Sequence, residues 1–133
     1  MPSLDHVNIQ TEKLGETVAF YRDVLELRAG NPPPPLDPSQ VQWMFDGDDR
    51  AIFHLSMPGA LVGTGVVNRA MADTGAVHHV ALSCKGHDQM IDRLDRLGLA
   101  HNENHVVAID LKQIFVRDPN NVLLELNYHK GNH

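Results

Sequence analysis

Four side chains able to hold a divalent cation recur at matched places in the two halves of this 133-residue chain. Leu4-Asp5-His6-Val7-Asn8-Ile9 opens the first half, and Val77-His78-His79-Val80-Ala81-Leu82 opens the second. Near the end of each half comes a further apolar stretch, Ile52-Phe53-His54-Leu55 and then Leu123-Leu124-Glu125-Leu126. Overlaying the copies pairs His6 with His79 and His54 with Glu125; His6 to His54 spans 48 residues and His79 to Glu125 spans 46. Neutral imidazole and carboxylate are ligands for Fe(II), Mn, Ni, Co and Zn. If the halves pack about a local twofold axis, all four side chains can converge on one ion. Side chains alternate along a strand, so His6 shares a face with Asn8 and His79 shares one with Ala81. That alternation selects His79 over its neighbour His78. The plainer alternative for any single histidine is a hydrogen-bonded core or surface residue. For Glu125, flanked by Leu123, Leu124 and Leu126, it is an outward-facing position or an ion pair with an arginine, because a carboxylate is costly to bury alone. His54 has three possible roles: metal ligand, acid/base, or plain structural residue.

Positioning these groups requires strands, and the periodicity supplies them. A strand near residues 3–10 precedes a helix from Lys13 to Leu25, with Leu14, Val18, Tyr21 and Leu25 on one stripe. Gly30-Asn31 and Pro32-Pro33-Pro34-Pro35 end regular structure in a stiff loop. Val41 to Phe45 reads as a strand, Asp46-Gly47-Asp48-Asp49 as a hairpin turn, and Ala51 to Met57 as the returning strand. The second half repeats the plan. It runs from a strand over Val77 to Cys84 to a helix over Asp88 to Leu97, with Met90, Ile91, Leu94 and Leu97 inward and Gly98 ending it. A short strand at His105 to Ala108, another at Leu111 to Val116, a turn at Asp118-Pro119-Asn120-Asn121 and a last strand at Val122 to Tyr128 follow. The chain therefore reads as one domain over 1–133, with module one at about 1–58, a connector at about 59–76, module two at about 77–128 and a disordered tail at 129–133. Val66 to Met71 in the connector is a candidate short helix or lid.

Composition narrows the partners. Net charge is −6 with no Lys/Arg run, which argues against nucleic acid. No apolar run is long enough to span a bilayer, and Met1-Pro2-Ser3 leads directly into a strand without a signal peptide. The single Cys84 excludes an internal disulfide framework and fits a small buried hydrophobe, so the expected location is cytoplasmic. His87, His101, His105, His129 and His133 are expected to face solvent, with His101 or His105 able to reach a cavity from a loop.

The chain resembles the vicinal oxygen chelate superfamily, which includes glyoxalase I, extradiol dioxygenases, fosfomycin-resistance proteins and bleomycin-resistance proteins. The resemblance is carried by Asp5-His6-Val7, by Ala19-Phe20-Tyr21-Arg22-Asp23-Val24-Leu25, by His79-Val80-Ala81-Leu82, and by Phe115-Val116-Arg117-Asp118-Pro119-Asn120 leading into Leu124-Glu125-Leu126. It implies an α+β fold in which two βαβββ modules form a cupped half-barrel around a divalent metal. It also implies that His6, His79 and Glu125 stand at the family's ligand positions, and that His54 stands where glyoxalase I has a further carboxylate ligand. Small members are often dimers, so a homodimer is expected.

The shared chemistry implied is Lewis-acid stabilisation of an anion on two adjacent oxygens of a small substrate. Extradiol cleavage of a catechol on Fe(II) comes first: His6, His79 and Glu125 form a two-histidine, one-carboxylate triad, and His54 acts as acid/base. Against it, Phe115 stands where that family usually has a tyrosine, and Asn121 where it has a small residue. A glyoxalase I-like lyase or isomerase on Ni or Zn comes second, weakened by His54 in place of a carboxylate. A fosfomycin-type transferase ranks lower, since no Ser/Lys-rich anion loop stands around residues 85–110. A metal-free, bleomycin-resistance-type binding protein fits the acidic charge but has no need of four retained ligand types. Trp43, Met44, Phe45, Phe53 and Phe115 are apolar walls of a substrate site or ordinary core. The Pro32–Pro35 loop and the Gly59–Gly65 connector are candidate rims.

Overall fold

A computed structural model describes residues 1–62, 65–66 and 74–133, with the side chains of 61–62 and 65–66 excepted. Residues 63–64 of the expected Gly59–Gly65 rim lie outside the described residues, as does the helix or lid expected over Val66 to Met71 except for Val66, which falls in a strand. The chain divides into two compact units, Met1–Ala72 and Asp73–His133.

In the first unit β1 (Val7–Gln10), α1 (Leu14–Asp23), β2 (Arg28–Gly30), β3 (Val41–Phe45) and β4 (Ala51–Ser56) build a four-stranded mixed sheet of order β1-β4-β3-β2. β1 runs parallel to β4, and the other neighbours are antiparallel. Two short strands, β5 (Leu61–Val62) and β6 (Gly65–Val66), pair with each other beyond it. In the second unit β7 (Val80–Ser83), α2 (His87–Arg96), β8 (His101–Val106), β9 (Leu111–Arg117) and β10 (Leu123–Tyr128) give the order β7-β10-β9-β8, with β7 parallel to β10. Each unit is thus a βαβββ module, and the fold is α+β.

The helix covers one face of each sheet. In β4, Phe53 and Leu55 are buried, and Phe53 lies 4.7 Å, ring to ring, from Tyr21 of α1. In β10, Leu124, Leu126 and Tyr128 are buried, and Tyr128 meets the His87 ring of α2 edge-on at 5.3 Å. Period-two alternation then turns His54 and Glu125 to the opposite face of their own sheets.

Several expectations need correction. The first strand begins at Val7 and the seventh at Val80, because the ladders start only at Val7↔Phe53 and Leu124↔Val80. Residues 3–6 and 77–79 precede them without a ladder partner. The buried stripe of α1 is Thr17, Phe20, Tyr21 and Val24, rotated from the expected one; Thr17 is drawn inward by the Thr11 hydroxyl, 3.1 Å from its own. Leu97 of the second expected stripe is exposed, since the chain reverses at Gly98 (φ 68°). β8 begins four residues earlier than expected, at His101, and its expected end, Val107 and Ala108, lies in a 3₁₀ turn over Val107–Ile109. β2 was not anticipated; it is a three-residue edge strand whose form depends on pairing with β3. His87 is buried rather than solvent-facing, with Asp88 Oδ1 at 3.1 Å and Glu103 Oε1 at 3.4 Å. The tail is held, not free: the His87 amide donates to the His133 carbonyl (2.6 Å) and His133 Nε2 to the Asp110 carbonyl (2.9 Å).

The turn between β9 and β10 depends on buried Asp118. Its Oδ1 accepts from the amides of Asn120 and Val122, both at 2.8 Å. Asp118→Ala leaves those donors without the carboxylate, and is expected to cost about 1–3 kcal/mol in urea unfolding. A loss under about 0.5 kcal/mol, typical of an uninvolved surface site, contradicts this account.

Candidate metal centre

The structure brings the candidate residues together in two pairs, one in each module. His6 and His54 stack face to face, with centroids 3.6 Å apart and planes 10° apart, and Trp43 covers the other face of His54 at 4.1 Å and 11°. The register explains this: Trp43 lies opposite His54 on β3, Asn8 opposite His54 on β1, and His6 is two residues before Asn8. In module two Phe115 lies opposite Glu125 on β9, Ala81 opposite it on β7, and His79 two residues before Ala81. The overlay read from the sequence is therefore also an overlay of ladders.

His79 Nε2 stands 3.7 Å from Glu125 Oε1. That is beyond hydrogen-bond reach. It is within the span of two donors on one ion, since N and O ligands each sit about 2.1 Å from a zinc-sized cation. The other carboxylate oxygen, Oε2, accepts from Asn127 Nδ2 at 2.9 Å. His78 Nδ1 lies 2.9 Å from His79 Nδ1, so one ring donates to the other there and His79 Nε2 remains the nitrogen turned to Glu125. In module one, His6 Nδ1 donates to Asp5 Oδ2 at 2.6 Å. That bond fixes the tautomer and leaves the Nε2 lone pair free, the usual support for a ligating histidine. The hydrogen bond from His6 holds the Asp5 carboxyl below its usual range. Each pair therefore offers two donors of types that suit a divalent ion, and among the described residues no group of three or more such side chains comes together.

Burial first, and then the neighbouring His6, push His54 from 6.5 down to about 4, against the opposing pull of Asp5. His54 is thus neutral at physiological pH. An NMR titration of the apo protein is expected to place its midpoint near about 4; a midpoint near 6.5 contradicts the shift. Because the unfolded chain binds this proton at higher pH than the folded one, the contribution of His54 to stability is complete above pH 6.5 and declines as pH falls toward about 4.

Three residues of the neighbourhood escaped the sequence reading. Asp5 belongs to the Asp5-His6-Val7 piece but was assigned no role there, and Asn127 and Gln113 carry no motif of their own. Asn127 was accessible through alternation, two residues beyond Glu125, whereas Gln113 required the register of β9. Of the candidate apolar walls, Met44 and Phe53 are core, while Trp43, Phe45 and Phe115 are half-buried.

The sequence profile of the glyoxalase/bleomycin resistance protein/dioxygenase superfamily matches residues 3–126. The chain belongs to that superfamily. Lactoylglutathione lyase from Agrobacterium tumefaciens shares its fold, at 20% identity and TM-score 0.65, covering 95% of this chain and 93% of that one. The fosfomycin resistance protein FosX from Listeria monocytogenes does so at 17% identity and TM-score 0.68, covering 97% and 93%. A variant of that FosX, solved with Mn(II) and 1S,2S-dihydroxypropylphosphonic acid, matches at 18% identity and TM-score 0.65, covering 95% and 89%. No curated protein matches the chain. At these identities the superfamily likeness speaks for the fold and leaves the reaction to the residues. No helix among the described residues is long and apolar enough to cross a membrane.

Proposed function

We propose that this superfamily member is a divalent-metal-dependent enzyme acting on a small substrate through two adjacent oxygens. His6, His79 and Glu125 would hold the ion, with His54 as a fourth ligand or as acid/base. The observation that carries this reading is the 3.7 Å approach of His79 Nε2 to Glu125 Oε1, each group held by a further partner. A bound divalent ion supplies Lewis acidity for the anion that develops on the substrate oxygens. The protein does the rest. Asp5 keeps the His6 Nε2 lone pair available, and neutral His54 can take a proton at a ring nitrogen. Trp43 supplies apolar surface beside His54, and Phe115 beside Glu125.

Of the two chemistries, proton transfer of the glyoxalase I type now comes first. Phe115 lies directly across the ladder from Glu125, so the hydroxyl donor associated with ring cleavage is missing from that position. Extradiol cleavage of a catechol on Fe(II) remains the second reading, supported by the uncharged His54. A cytoplasmic homodimer is the setting proposed for either. Elemental analysis after anaerobic purification should find a stoichiometric Fe, Ni, Zn, Mn or Co. Methylglyoxal with glutathione and Ni(II) or Zn(II) should then yield a thioester. Oxygen uptake with catechols and Fe(II) instead would select the second reading, and protein that takes up none of these ions ends the proposal.

A further inference from the structure

We infer that Gln113 and Asn127, with Asn104 at their outer end, are positioning residues that aim Glu125 through a one-way chain of amides. The inference rests on the metal reading above. The three residues lie in register across β8, β9 and β10, Asn104 opposite Gln113 and Gln113 opposite Asn127. They share the sheet face of Glu125. Asn104 Nδ2 donates to Gln113 Oε1 (2.8 Å), Gln113 Nε2 to Asn127 Oδ1 (3.0 Å), and Asn127 Nδ2 to Glu125 Oε2 (2.9 Å).

The direction of this chain is forced from its inner end. An ionised carboxylate only accepts, so Asn127 must present its NH₂ to Glu125 and its carbonyl to Gln113. Gln113 must then present its NH₂ to Asn127 and its carbonyl to Asn104. Each dipole is thereby aligned with the next, which strengthens the set in a half-buried setting. The result is that Oε2 is occupied and Oε1 is left turned to His79. Module one has no such chain. Val41 stands opposite Ser56 where Gln113 stands opposite Asn127, and the residue there in place of Glu125 is His54, an imidazole that needs no second oxygen occupied.

Reversing the chain tests the inference. In Gln113→Glu the new carboxylate can only accept, so Asn127 turns its NH₂ outward and its carbonyl toward Glu125 Oε2. Asn104→Asp drives the same reversal from an exposed position that leaves the core untouched. Both variants add a negative charge, which by Coulomb attraction alone would tighten cation binding. The chain demands the opposite sign. Titration calorimetry with Mn(II), Ni(II) and Zn(II) on the full-length protein, with folding checked by circular dichroism, should show affinity falling about 10–100-fold, the usual cost of losing an outer partner of a ligand. Asn104→Gln, which keeps the NH₂ donor, should restore affinity close to that of the unaltered protein. Weakened binding in either reversing variant supports the chain, and unaltered or tighter binding in both overturns it. If the unaltered protein itself binds none of the three ions, the metal reading falls and this inference with it. The two failures are therefore distinguishable.

Discussion

Replacing Glu125 with alanine is expected to reduce divalent-ion affinity by at least about 100-fold, above the range seen when only an outer partner of a ligand is lost. The change removes an anionic donor outright and leaves His79 Nε2 without the oxygen now 3.7 Å away. Stability should change little by comparison. Glu125 projects from the face of β10 opposite Leu124, Leu126 and Tyr128, which stay packed. Calorimetry with Mn(II), Ni(II) and Zn(II), beside urea unfolding of the same protein, separates the two effects. His79→Ala should behave alike. Unaltered ion affinity in both variants would remove the proposed site.

Phe53→Ala carries the largest expected loss of stability. The ring is fully buried between sheet and helix, 4.7 Å from Tyr21. Truncations of this kind cost about 3–5 kcal/mol. That is a large share of the roughly 5–15 kcal/mol that holds a domain folded. The urea midpoint should fall accordingly, with the slope unchanged. His54→Ala, one residue along, gives the contrast. Its ring stacks on His6 and Trp43 on the opposite face, so the deletion should spare most of the stability. If Phe53→Ala and His54→Ala destabilise equally, the division of β4 into a core face and a site face is wrong.

That division was largely legible before any coordinates. Alternation in Phe53-His54-Leu55 and in Leu124-Glu125-Leu126 is a local property, set by where successive side chains point along a strand. The duplication is likewise written in spacing, and the ladders Asn8↔His54 and Ala81↔Glu125 reproduce it. Elements made of polar residues were harder to read. β8 is Asn, Glu and His over most of its length, an edge strand whose polarity masks it until it pairs with β9. The inward stripe of α1 shifted for a similar reason: Leu14, Val18, Tyr21 and Leu25 offered one apolar face, but the bond of Thr11 to Thr17 and the burial of Phe20 and Val24 chose another that shares only Tyr21 with it.

The sequence by itself determined the superfamily resemblance with the βαβββ modules it implies, the duplicated plan of strand, helix and returning strands, and which residues could be ligands, because these depend on residue type and short-range period. Tertiary structure alone decided the groups around them. The stacking of His54 between His6 and Trp43, the Phe115 ring across from Glu125, and the amides from Asn104 to Asn127 all depend on cross-strand register. Register arises from pairing residues far apart in the chain, and no local pattern of side chains specifies it there.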